Sequence, residues 1–192
     1  MEKSPVGANS SRTPSKNETA QTLSTSLDET LSLFRRIFNN DGTLKIRVIN
    51  NMHCDKVRCG LIYIDGMIDR ELVQEGIIRP VTSFDFTTVD ISKPAELMER
   101  IRTQVVSISD VIVSTNLEEL ISAVVAGKTL LLLDGYGGGL NLNAQGWEMR
   151  AITEPTTDKA VRGPREGFTE SLLVNLTLIR RRMQTTTMEL SK

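Results

Sequence analysis

Two aspartates end apolar runs in the same way, Ile62-Tyr63-Ile64-Asp65-Gly66 and Leu131-Leu132-Leu133-Asp134-Gly135. If the runs are parallel neighbours in a sheet, Asp65 and Asp134 share its carboxyl edge, the side on which open α/β sheets bind ligands, and the pair would suit an amine. The simpler reading is that Asp-Gly turns the chain, because the aspartate bonds its own backbone and glycine accepts positive φ. That local chemistry is the commoner one. A second cluster, Arg162-Gly163-Pro164-Arg165-Glu166, stands just before an apolar stripe of helical period. Arg162 and Arg165 could fork a carboxylate or phosphate beside the free N–H groups of a helix start. The same guanidinium groups could instead pair with Glu154, Asp158 or Glu166 and pin the loop. Both uses stand.

Other chemistries are poorly supported. Gly135-Tyr136-Gly137-Gly138-Gly139 follows an apolar run, but Leu140 occupies the third glycine place of a dinucleotide fingerprint and a strand pattern follows. The lysine and hydroxyl of a P-loop are missing as well, so the glycines read as a hairpin loop. His53, Cys54 and Cys59 are the only soft ligands, one short of a tetrahedral structural zinc site. Cys59 lies inside a strand pattern, where a buried thiol acts as a small hydrophobe. With a single histidine, histidine-based triads lack support, and no cofactor is expected. Asn175 falls within the apolar stripe of the last helix, where its amide needs partners, and a neighbouring backbone is the expected one. Arg180-Arg181-Arg182 reads as a solvated helix end that complements the macrodipole.

The elements that must position these residues follow from pattern. Ser26-Leu27-Asp28-Glu29 is a capping box opening a helix with Leu27, Leu31, Phe34 and Phe38 on one face, stopped at Asn39-Asn40-Asp41-Gly42. Residues 44–49 and 57–64 read as strands, and 68–78, 94–106 and 116–126 as helices. Thr129 to Leu133 reads as a strand covered on both faces, and alternation resumes at Leu140, Leu142 and Ala144. Residues 147–153 suit another extended piece, and 154–164 a polar loop. Phe168, Leu172, Leu176, Ile179 and Met183 form the stripe of a long terminal helix. The expected fold is α/β: a mixed sheet flanked by helices, with 1–24 a disordered tail, 25–192 a single lobe, and a long C-terminal amphipathic helix.

Totals narrow the function. The 192 residues are 39% hydrophobic but only 4% aromatic, which suits one core of Leu, Ile and Val and argues against base-stacking platforms. Twenty-three basic residues against 24 acidic ones leave no field to draw the chain onto nucleic acid or an anionic membrane. The first 24 residues lack a signal peptide's apolar stretch, and no run approaches the roughly 20 residues of a spanning helix. Two cysteines fit a reducing compartment.

Several ordered stretches resemble the GerA/GerKA-type spore germination proteins. They are Tyr63-Ile64-Asp65-Gly66-Met67, Gly127-Lys128-Thr129, Gly146-Trp147-Glu148-Met149-Arg150, Glu154-Pro155, and Arg162-Gly163-Pro164-Arg165-Glu166-Gly167-Phe168-Thr169-Glu170-Ser171, with Asn175 and Leu178-Ile179-Arg180-Arg181-Arg182. The likeness runs from about Leu31 to Met183. It implies the soluble N-terminal region of the A subunit of a nutrient germinant receptor in the spore inner membrane, facing the core or cytoplasmic side. B and C subunits would be partners, and an amino acid, sugar or nucleoside the ligand. Family members continue through a second α/β lobe and then membrane helices, so the chain resembles a truncated region whose interlobe site is half present and whose membrane association lies in absent segments. On this resemblance Asp65, Asp134, Arg150, Arg162, Arg165, Glu166 and Asn175 are candidate ligand-binding or signalling residues. The alternative is a module that docks receptor subunits without binding ligand. Neither assigns an enzymatic step.

Overall fold

In the computed structural model, which describes residues 23–146 and 172–183, five strands form one sheet covered by helices on both faces. In chain order the elements are α1 (Leu27–Ile37), β1 (Leu44–Asn50), β2 (Arg58–Ile64), α2 (Arg70–Val73), α3 (Arg79–Ser83), α4 (Pro94–Arg100), β3 (Val111–Ser114), α5 (Leu117–Val125), β4 (Thr129–Leu133), β5 (Gly139–Leu142) and α6 (Leu172–Met183). The π-helical turns Gln74–Ile78 and Ile101–Val105 join α2 to α3 and end α4.

Alternation along the central strands separates two cores. Cys59 and Leu61 of β2 face the same side as Leu131 and Leu133 of β4, under Val73, Ile77, Val81, Leu97 and Ile101. Ile62, Ile64, Leu130 and Leu132 face the other side, under Leu27, Leu31, Phe34 and Phe38 of α1 and Leu117, Leu120 and Val124 of α5. All five residues of β4 are buried, as its unbroken apolar run requires of a doubly covered strand. Gly60 lets α1 lie close on β2: a Cβ there would stand 2.8 Å from Leu27 Cδ1 and 2.9 Å from Leu31 Cδ2.

One proline ties the helical layer together. Pro80 has no N–H, so the Gly76 carbonyl four residues back lacks its helical donor. That carbonyl accepts instead from the Ser107 N–H at 2.9 Å, which fastens the end of the second π-turn to the first.

The strand order is β1-β2-β4-β5-β3, and every pairing is antiparallel. The α/β layering matches expectation, but the sheet is not mixed. The reason is β3, a four-residue strand that the sequence reading passed over. It pairs with β5, as β4 does, so β3 and β4 run in the same direction with α5 as their crossover and β5 inserted between them. β1, β3 and β4 therefore run one way and β2 and β5 the other, so β2 and β4 are not like-directed. The glycine segment after Leu133 is the expected hairpin loop, with Leu132 opposite Gly139.

Candidate functional site

Because β2 and β4 are antiparallel, Asp65 and Asp134 lie at opposite ends of the sheet and do not form a shared site. Each carboxylate has local work. Asp134 Oδ1 accepts from the Leu27 N–H at 3.0 Å and so caps α1, while Oδ2 stands 3.4 Å from Arg58 Nη1. Asp65 Oδ1 stands 2.9 Å from Arg70 Nη2, and its own N–H donates to the Thr43 carbonyl. Ser26 accepts from the Glu29 N–H at 3.4 Å, but the Glu29 carboxylate turns to Ser24 Oγ, so only half of the expected capping box forms.

Cys59 is fully buried on β2, where desolvation first and the Asp134 charge second push its thiol up to about 12. It is a hydrophobe, inert as a nucleophile. No grouping of three His, Cys, Asp or Glu side chains suited to a metal occurs among the described residues.

The polar junction that the sequence reading missed joins α6 to the turn between α1 and β1. Asn39 and Asn40 take left-handed backbone, with φ of 51° and 56°, a conformation asparagine tolerates better than most residues. They deliver Asp41 inward: its Oδ1 accepts from the Thr43 N–H at 2.8 Å and the Thr43 hydroxyl at 3.0 Å. Its Oδ2 forms an ion pair with Arg180 of α6, with side-chain exposures of 0% and 4% respectively. Burial lowers the proton affinity of the Arg180 guanidinium, and a facing carboxylate is what such a site requires.

Arg180 is thus no solvated helix end. Along α6 the buried residues among the described side chains are Thr177 and Arg180, while Leu176 and Ile179 are half-buried and Met183 is 58% exposed. Among the described side chains the most buried face is therefore offset by one residue, roughly 100° around the helix, from Leu176, Ile179 and Met183, so that Thr177 and Arg180 meet the lobe. Asn175 is half-buried and is not without a partner. Arg150, Arg162, Arg165 and Glu166 lie outside the described residues, as do the extended piece expected at 147–153 and the loop at 154–164.

A second hub was equally silent in the pattern. Asn51, 3% exposed, donates from Nδ2 to the carbonyls of Val81, Thr82 and Phe84 at 2.8, 3.1 and 2.9 Å. Its Oδ1 accepts from the N–H groups of His53 and Cys54, both at 2.9 Å. It clamps the β1–β2 loop onto the end of α3. The available signal was an asparagine ending a strand pattern ahead of a loop, which is common in any protein.

Comparison with known proteins gives this geometry a context. The model of the Bacillus/Clostridium GerA spore germination protein matches residues 32–192. The chain is 37% identical over 128 residues to an uncharacterized membrane protein, YfkQ, of Bacillus subtilis, covering 66% of this chain and 24% of that protein. It is 30% identical over 159 residues to spore germination protein KA of Bacillus subtilis, covering 83% of this chain and 28% of that one. The chain thus spans about a quarter of the length of these relatives. The N-terminal domain of the A subunit of the Bacillus megaterium spore germinant receptor GerK3 has the same fold, with a TM-score of 0.64 at 22% identity over 88% of this chain and 59% of that one. No described helix is long and apolar enough to cross a membrane. The match over residues 32–192 and these relatives place the chain in the GerA family of spore germination proteins.

Proposed function

We propose that the chain acts in spore germination as the nutrient-sensing or signal-relaying portion of a germinant-receptor A subunit, without making or breaking bonds. In this reading it works at the spore inner membrane, on its core or cytoplasmic side, together with B and C subunits. The observation that carries it is the buried pairing of Arg180 with Asp41, which couples α6 to a left-handed turn through a buried charge pair. An element held this way is either bound by the pair or released into water, and a ligand or partner that prefers one of these states shifts the balance between them.

A second reading, a module that docks receptor subunits without binding ligand, is favoured by exposed apolar groups at the sheet margins. Val48 is 41% exposed and Ile112 49%, with Met52 at 72% on the loop after β1. Titration calorimetry of amino acids, sugars and nucleosides against the chain tests sensing directly. A spore carrying Asp41→Asn with Arg180→Met tests relay: normal receptor assembly with a lost nutrient response supports it, whereas lost assembly supports docking. Normal assembly and a normal response, together with no heat from any nutrient, would refute the sensing-and-relay reading.

A further inference from the structure

We propose that the outer edge of β1 is a docking edge for an extended, acid-bearing polypeptide segment. β1 has seven residues and, among the described residues, pairs only with β2, so the other side of its backbone offers N–H and C=O groups as a template for a further strand. Its far end is occupied, since the Met52 N–H donates to the Thr82 carbonyl of α3. At its near end the Leu44 N–H donates to the Asp41 carbonyl at 3.1 Å, so among the described residues the open stretch runs from the Leu44 carbonyl to Val48. A depression of about 430 Å³ runs along this stretch, lined by Arg35, Asn40, Leu44, Lys45, Arg47 and Tyr63 among others.

Three cations of this edge lack an acid partner among the described residues. Arg58, Arg70, Arg79 and Arg102 are each paired with an acid. Arg35 and Arg47 have no side-chain hydrogen bond or ion pair among the described residues, and Lys45 Nζ reaches only the Gly42 carbonyl at 3.0 Å. Asp41 also lines the depression, but its carboxylate is buried and engaged by Thr43 and Arg180. In a chain of net charge −1, three cations around an open strand edge are a local feature and not an effect of composition.

That charge also decides the occupant. A second copy pairing antiparallel through β1, centred on Ile46, would set Lys45 against the partner's Arg47 and repel it, the device by which edge strands avoid self-association. A strand with acidic side chains at alternate positions meets both requirements, offering backbone to the open ladder and carboxylates to Arg35, Lys45 and Arg47. Asp41 borders this surface, but the Arg35 and Arg47 side chains take no part in the Asp41–Arg180 pair, so replacing them tests the edge while leaving the relay reading untouched.

The test uses two fluorescent peptides of about eight residues with equal charge, one alternating Glu and Val, the other alternating Glu and Pro, which lacks half the N–H donors. Anisotropy is expected to show the Glu-Val peptide binding at least about tenfold more tightly, because only it completes the ladder. Arg35→Ala with Arg47→Ala, both exposed sites, is expected to weaken it by about three- to tenfold. Hydrogen exchange is expected to slow over residues 44–48 when the peptide binds. Equal binding of the two peptides, full competition by citrate, protection confined to the β3 edge, or no binding would each overturn the proposal.

Discussion

Replacing Arg180 with Met keeps a long apolar stem on α6 and removes the charge that faces Asp41. The Asp41 carboxylate, with a fully buried side chain, then keeps its two bonds from Thr43 but loses its counter-ion. Two unit charges about 4 Å apart at an effective dielectric of about 20 attract by roughly 4 kcal/mol, and breaking one partner of a buried pair costs about 3–5 kcal/mol. The lobe need not absorb all of it. Detaching α6 would rehydrate Asp41, so the loss is limited to the free energy that docks the helix. The expected outcome is a released helix: amides over residues 176–183 lose exchange protection, while the urea transition of the sheet shifts by less than about 3 kcal/mol. Adding Asp41→Asn, which preserves an oxygen for Thr43 without the charge, should recover most of the loss and give a coupling of at least about 2 kcal/mol in a double-mutant cycle. If Arg180→Met lies within about 0.5 kcal/mol of the parent with unchanged exchange along α6, the pair holds nothing and the relay argument falls.

Two further outcomes are expected. Asn51→Leu strips the Nδ2 donor from three carbonyls and the Oδ1 acceptor from two N–H groups, so urea unfolding should show a loss of about 2–4 kcal/mol, and a change under about 0.5 kcal/mol would contradict the clamp. For Cys59, the folded thiol stays neutral to about 12 while the unfolded chain ionises near 9.0, so above pH 9 the unfolded state sheds its proton first. Stability therefore falls as pH rises from about 9 towards 12, by up to about 1.4 kcal/mol per unit, and the difference between parent and Cys59→Ala across that range should carry this slope.

The sequence by itself determined the layers and most of the elements. The period of Leu27, Leu31, Phe34 and Phe38, the alternation around Leu61 and the unbroken run of β4 each specify one element and its apolar face, because burial is a local property of residue type and spacing. The ordered stretches, above all the block from Arg162 to Ser171, were enough to suggest the family. Which residues meet was decided by tertiary structure. A four-residue strand, β3, carries too few residues for a pattern, and β4, which follows it through α5, pairs antiparallel with β2, which puts Asp65 and Asp134 at opposite ends of these strands. Asp41 and Arg180 stand 139 positions apart in the chain, each reading as an ordinary solvated charge in its own segment. Only packing could show that both leave water together, since the free energy of an ion pair depends on the dielectric around it and not on the letters beside it.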